Sequence, residues 1–117
     1  MESILENKSF LFAKRMVNLN RYLTKECQEF VISKQVLRSG TSVGANISEA
    51  QFAQSKGDFV TKMHIALKEA SETRFWIRLL EETEILDCKM SESLLKDCNE
   101  LINLLVASLK TSKKEPL

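Results

Sequence analysis

Histidine, proline, tryptophan and tyrosine occur once each in these 117 residues, and glycine only three times. With a single histidine, His64, and no glutamate three residues before it, a di-iron bundle built on paired Glu-x-x-His motifs is excluded. So few turn formers argue against a fold of many short strands. The three cysteines, Cys27, Cys88 and Cys98, are odd in number and lack C-x-x-C spacing, so neither a disulfide framework nor a zinc site is indicated. No apolar run approaches the roughly 18 residues that cross a bilayer, and no charged-then-apolar leader precedes the first periodic segment. Gly-rich phosphate loops and nucleophile elbows are missing as well. The expectations are a cytoplasmic protein that is not an enzyme, with no cofactor, no metal and no membrane partner.

What is present is the material of amphipathic helices, 44% hydrophobic and 28% charged. Length sets one domain over residues 1–117, with a tail expected to fray from about 113. Helical spacing of Leu5, Phe12, Met16, Leu19 and Leu23 predicts a first helix near 4–24. Ile32, Val36, Gly40, Val43, Ile47 and Ala50 predict a second near 30–53. Phe59, Met63, Ala66, Ala70, Thr73, Ile77 and Leu80 predict a third near 57–84, opened by a Ser55/Asp58 capping box. Leu95, Cys98, Ile102, Leu105 and Leu109 form a fourth seam after an N-cap at Ser91, with Met90 stapled onto Leu95. Short connections between long helices make the fold all-α, an antiparallel up-down-up-down four-helix bundle.

Charge is uneven although the net is +1: residues 1–38 hold seven Lys/Arg against four acids, and residues 68–100 hold five against nine. Lys14, Asn18, Arg21 and Lys25 make a polar row pointing away from the first seam, and Lys34 and Arg38 on the second helix extend it. Such a row suits phosphates along a nucleic-acid backbone, or simply solvent. No aromatic interleaves it, so base stacking is not expected there. Glu81, Glu82, Glu84 and Asp87 at the end of the third helix read as a solvated face or as a match for a basic partner. A Cys–His nucleophile pair is disfavoured, because Cys98 lies on its seam while His64 projects about 140° off the third seam at 100° per residue.

The stretch from Ser39 to Ser55 is the anomaly: ten of its seventeen residues are Gly, Ala, Ser or Thr. Gly40 and Gly44 each cost about 1 kcal/mol of helix propensity against alanine, so tertiary packing must hold this helix. Asn46 and Glu49, beside that seam, are placed to bond across a helix interface. Phe75, Trp76 and Leu79 on the third helix are surplus to a single core-facing stripe, and so are Phe10, Ala13 and Val17 on the first. The surplus suggests oligomerisation.

The segment Arg38-Ser39-Gly40-Thr41-Ser42-Val43-Gly44-Ala45-Asn46-Ile47-Ser48-Glu49 resembles the signature of the four-helix bundle proteins encoded in ribosomal RNA intervening sequences, once described as ribosomal proteins. Phe59, Ile65-Ala66 and Glu72 agree with the same family's third helix, while Lys68-Glu69 replaces its small Gly-Ser pair. The family is similar to the accessory variability determinant proteins of diversity-generating retroelements. That resemblance implies a homopentamer with a basic surface whose partners are structured RNA or a nucleic-acid-processing protein. The alternative is a protein-interaction scaffold that binds no nucleic acid.

Overall fold

The computed structural model describes residues 3–114, with side chains through Ser112. It is all-helical among the described residues: α1 Ile4–Lys25, α2 Ile32–Ala50, α3 Lys56–Glu82 and α4 Cys88–Lys114. The molecule measures 50 × 23 × 20 Å, as long thin helices laid side by side require. Contacts close a cycle, α1 on α2, α2 on α3, α3 on α4 and α4 back on α1, with no close backbone approach across either diagonal among the described residues. Facing residues are numbered in opposite senses: Lys8 meets Glu100 and Arg15 meets Asp97, while Arg38 meets Glu72 and Lys62 meets Glu49.

Each helix start has a chemical reason. At α1 a full capping box forms, the Glu6 N–H donating to Ser3 Oγ and the Ser3 N–H to Glu6 Oε2, both at 3.0 Å. Ser55 Oγ likewise accepts from the Asp58 N–H at 3.0 Å, but the Asp58 carboxylate accepts from Gln54, one residue before the expected donor. The fourth start differs more. Asp87, not Ser91, caps α4, its Oδ1 accepting from the Met90 N–H at 2.8 Å. Ser91 is instead buried inside the first turn, donating from Oγ to Glu81 Oε2 at 2.6 Å, so the helix begins a turn early and the Met90–Leu95 staple falls away. Fraying from about 113 was expected; α4 is helical through Lys114, and residues 115–117 lie outside the described ones.

One core draws on all four helices, with Phe12, Met16, Leu23, Ile47, Met63, Ile77, Leu80, Leu101 and Leu105 all sealed from solvent. The third seam is buried from Met63 to Leu80 as the spacing predicts, Phe59 lying at its half-buried edge. The fourth seam is shifted: Leu94 and Leu101 are buried, whereas Leu95 and Ile102 flank them half-buried. Between α2 and α3 the core holds a polar link, Thr73 Oγ1 donating to Ser39 Oγ at 2.8 Å.

The small residues of α2 are answered by α1. A Cβ on Gly40 would stand 2.3 Å from Met16 Cγ and 2.6 Å from its Sδ, and one on Gly44 would stand 3.2 Å from the backbone oxygen of Ser9. Both glycines therefore serve close packing of two helices of one chain. Asn46 was expected to bond across an interface. Its Nδ2 donates to Ser42 O of its own helix at 2.8 Å.

Candidate nucleic-acid interface

The cations of the basic row and its surroundings divide into two sets by what they touch. Lys8 pairs with Glu100 at 3.2 Å and Arg15 with Asp97 at 2.7 Å, bracing α1 on α4. Lys62 pairs with Glu49 at 2.9 Å between α3 and α2, and that carboxylate holds the lysine pKa above its usual value. Arg38 points to α3: its guanidinium pairs with Glu72 and, at 3.3 Å, with Glu69, while Gln35 accepts from the same fork. Glu72 also accepts from Trp76 Nε1 at 2.9 Å. Arg38 was expected to extend the basic row; its guanidinium, half exposed, is engaged by two carboxylates and by Gln35.

The remaining four of α1 and α2, Lys14, Arg21, Lys25 and Lys34, are exposed and have no ion-pair partner among the described residues. Lys14, Arg21 and Lys25 climb one face of α1, and Lys25 also suits the negative end of that helix dipole. Lys34 sits in the first turn of α2, beside the end of α1, since Asn20 Nδ2 donates to Ser33 O at 3.1 Å.

The connection between α1 and α2 is tightly held. Gln28 takes a left-handed φ of 54°, and the Glu29 N–H donates back to Leu23 O at 2.9 Å. The Glu29 carboxylate then accepts the N–H groups of Val31, Ile32 and Ser33 at 3.2, 3.0 and 2.7 Å, doing for α2 what its N-cap residue Val31 has no side chain to do. Phe30 and Val31 are left 55% and 73% exposed. Neither residue belongs to a periodic stripe, and that off-stripe Phe-Val pair was the signal in the sequence.

Two apolar surfaces lie elsewhere. A groove of about 340 Å³ runs between α1 and α2 over Phe10, Ala13, Thr41, Gly44 and Ala45. On α3, whose backbone α1 does not closely approach among the described residues, Phe75, Arg78, Leu79 and Glu82 line a depression of about 220 Å³. Phe75 is 57% exposed and meets Trp76 edge-on with ring centroids 5.0 Å apart.

Chemistry of the nucleophilic kind finds no arrangement among the described residues. Cys98 is sealed in the core, where its thiol donates to Ala70 O at 3.3 Å, and burial pushes its pKa up to about 12, while His64 is exposed on α3. Among the described residues no group of three His, Cys, Asp or Glu side chains could hold a metal, and no helix is long and apolar enough to cross a membrane. A thiol-specific reagent at pH 8 is expected to modify exposed Cys88 within minutes and to spare Cys98 until the chain unfolds. Because the folded pKa of Cys98 lies above the unfolded one, its contribution is complete below pH 9.0 and is lost as pH climbs toward about 12. Cys98→Ala should therefore flatten that part of the alkaline stability loss in denaturant titrations.

A sequence model described as "23S rRNA-intervening sequence protein" matches residues 1–107. The chain is also similar to a protein of unknown function from the S23 ribosomal protein family of Bacteroides thetaiotaomicron, whose crystal structure was determined at 1.70 Å. The two are 50% identical, the match covering 92% of this chain and 99% of that one, with a TM-score of 0.91. No curated protein matches.

Proposed function

Because the chain belongs to the 23S rRNA-intervening sequence protein family, we propose that it is a non-enzymatic, homo-oligomeric bundle of the cytoplasm whose basic face holds RNA by its phosphates. Each copy is one antiparallel up-down-up-down domain over residues 1–117, a topology supported by the opposed numbering of facing residues. The observation that carries the RNA reading is the division of cations. Four of them, Lys14, Arg21, Lys25 and Lys34, stand exposed along α1 and the start of α2 with no ion pair among the described residues, while Lys8, Arg15, Arg38 and Lys62 brace helix to helix. Unpaired surface cations release counterions from phosphate without first breaking an internal ion pair.

Oligomerisation is supported by the two apolar surfaces. The α1–α2 groove and the Phe75–Leu79 depression lie on helices on different sides of the bundle, so a contact between them is head-to-tail and closes into a ring when the rotation allows. A ring of five copies is what the family's likeness to the accessory variability determinant proteins of diversity-generating retroelements implies.

Fluorescence anisotropy with a structured RNA at about 50 mM salt tests the reading, with affinity expected to fall steeply as salt rises. No binding at that salt overturns the RNA role. Light scattering should return a multiple of the 13.4 kDa chain mass, and a strict monomer overturns the ring. The rival reading, a scaffold for another protein, draws on the exposure of Phe10 and Phe75, 66% and 57%. It predicts a co-purifying protein partner and no salt-sensitive RNA affinity.

A further inference from the structure

Resting on the RNA reading above, we infer that the α1–α2 end of the bundle is a site for unpaired RNA, where a nucleobase stacks on Phe30 while Arg21, Lys25 and Lys34 hold the flanking phosphates. The base-stacking aromatic that the basic row lacks in sequence is supplied by the loop. Phe30 follows Lys25 by five residues and precedes Lys34 by four, and the bond from the Glu29 N–H to Leu23 O folds the loop back along the last turns of α1. The ring is presented by a fixed backbone: Glu29 clamps three successive N–H groups on one side, and Gln28 Nε2 donates to Lys25 O at 3.2 Å on the other. A half-exposed aromatic held in this way stacks a base at little further ordering cost.

The acids at this end set the direction of approach. Glu29 and Asp87 keep their charge but hold it against backbone N–H groups at the starts of α2 and α4, and Glu26 is exposed in the loop. Glu82 and Glu84 stand exposed on the α3–α4 connection, which the Cys27 thiol touches at Ile85 O, 3.8 Å away. A polyanion is thus repelled from the α3–α4 half and led to the α1–α2 half. A duplex keeps its bases stacked inside and finds only the cations; an unpaired strand finds the cations and the ring.

The test is anisotropy of the full chain with a short unstructured RNA carrying 2-aminopurine and with its duplex. Wild type, Phe30→Ala, Phe30→Tyr and the control Phe52→Ala are compared; Phe52 is an 86% exposed aromatic in the α2–α3 connection. Phe30→Ala is expected to weaken binding of the unstructured RNA roughly tenfold and to leave duplex affinity within about twofold, with Phe30→Tyr and Phe52→Ala near wild type. The 2-aminopurine fluorescence should be quenched by wild type and not by Phe30→Ala. An equal loss on both RNAs, no loss, an unquenched wild-type complex, or a change of oligomer mass in Phe30→Ala overturns the site. If RNA binds through Lys14 and Arg21 with no regard to Phe30, this inference alone fails. If wild type binds no RNA at all, the RNA reading fails first and takes this one with it.

Discussion

Gly40→Val will lower the unfolding free energy by about 3 kcal/mol, the upper part of the range for overpacking a dense core. The position is buried, and its first added carbon would lie 2.3 Å from Met16 Cγ, an atom near the base of a fully buried side chain. Met16 cannot swing clear without displacing its core neighbours, so α1 must move off α2. The helix-propensity gain over glycine recovers at most about 1 kcal/mol, which overpacking of this size exceeds. For a chain of this length, a loss of about 3 kcal/mol is a large share of total stability. Urea titration of Gly40→Val, Met16→Ala and the double variant checks the cause. The valine should cost much less when the methionine has been cut back to alanine, because the space it needs is then open. A full cost in both backgrounds would place the strain elsewhere.

The second large effect is on binding. Reversing two unpaired cations, Lys14→Glu with Arg21→Glu, is expected to weaken RNA binding on the order of a hundredfold at low salt, alike for every RNA sequence, because phosphates carry no sequence information. Both side chains are exposed and carry no ion pair among the described residues, so the thermal transition should not move. Arg38→Gln is the counter-case. Its guanidinium is engaged by Glu69 and Glu72, so affinity should hold while stability slips by up to about 1 kcal/mol, the worth of an exposed ion pair.

Where the sequence could be read, it was because one side of each helix admits only one kind of residue. The third seam, Met63 to Leu80, steps by three and four, and each of those positions is buried although Ile65, Leu67, Phe75, Trp76 and Leu79 stand between them. The fourth helix carries the doublets Leu94-Leu95 and Leu101-Ile102, whose members lie about 100° apart on one broad face. Spacing picks the wrong member of both, since the choice is made by what α3 and α1 leave room for. Ser91 has the chemistry of a cap because serine caps well, but Asp87 caps equally well one turn earlier and Glu81 takes the serine hydroxyl.

The site was legible in part for the same reason. A lean seam at Gly40 and Gly44 announces a close approach, yet only the α1–α2 register names Met16 and Ser9 as what approaches. Lys14, Arg21 and Lys25 share a face by arithmetic along one helix. Arg38 groups with them in sequence because its carboxylates are 31 and 34 residues away on α3. Glu69, in the pair Lys68-Glu69, supplies one of those carboxylates. Glu29 gives no sequence signal because glutamate is a poor N-cap residue and this one reaches α2 from two positions before the cap.

The central claim, that the unpaired row on α1 and α2 neutralises RNA phosphates, is met most directly by the salt dependence of affinity. Wild type and the neutral variant Lys14→Gln with Arg21→Gln are to be titrated with unstructured RNA between about 50 and 200 mM salt. Four contacts predict a slope of log affinity on log salt near roughly −2.8, and removal of two predicts roughly −1.4, at about −0.7 per phosphate. A flat wild-type response, or a slope that the two substitutions leave unchanged, would contradict the account.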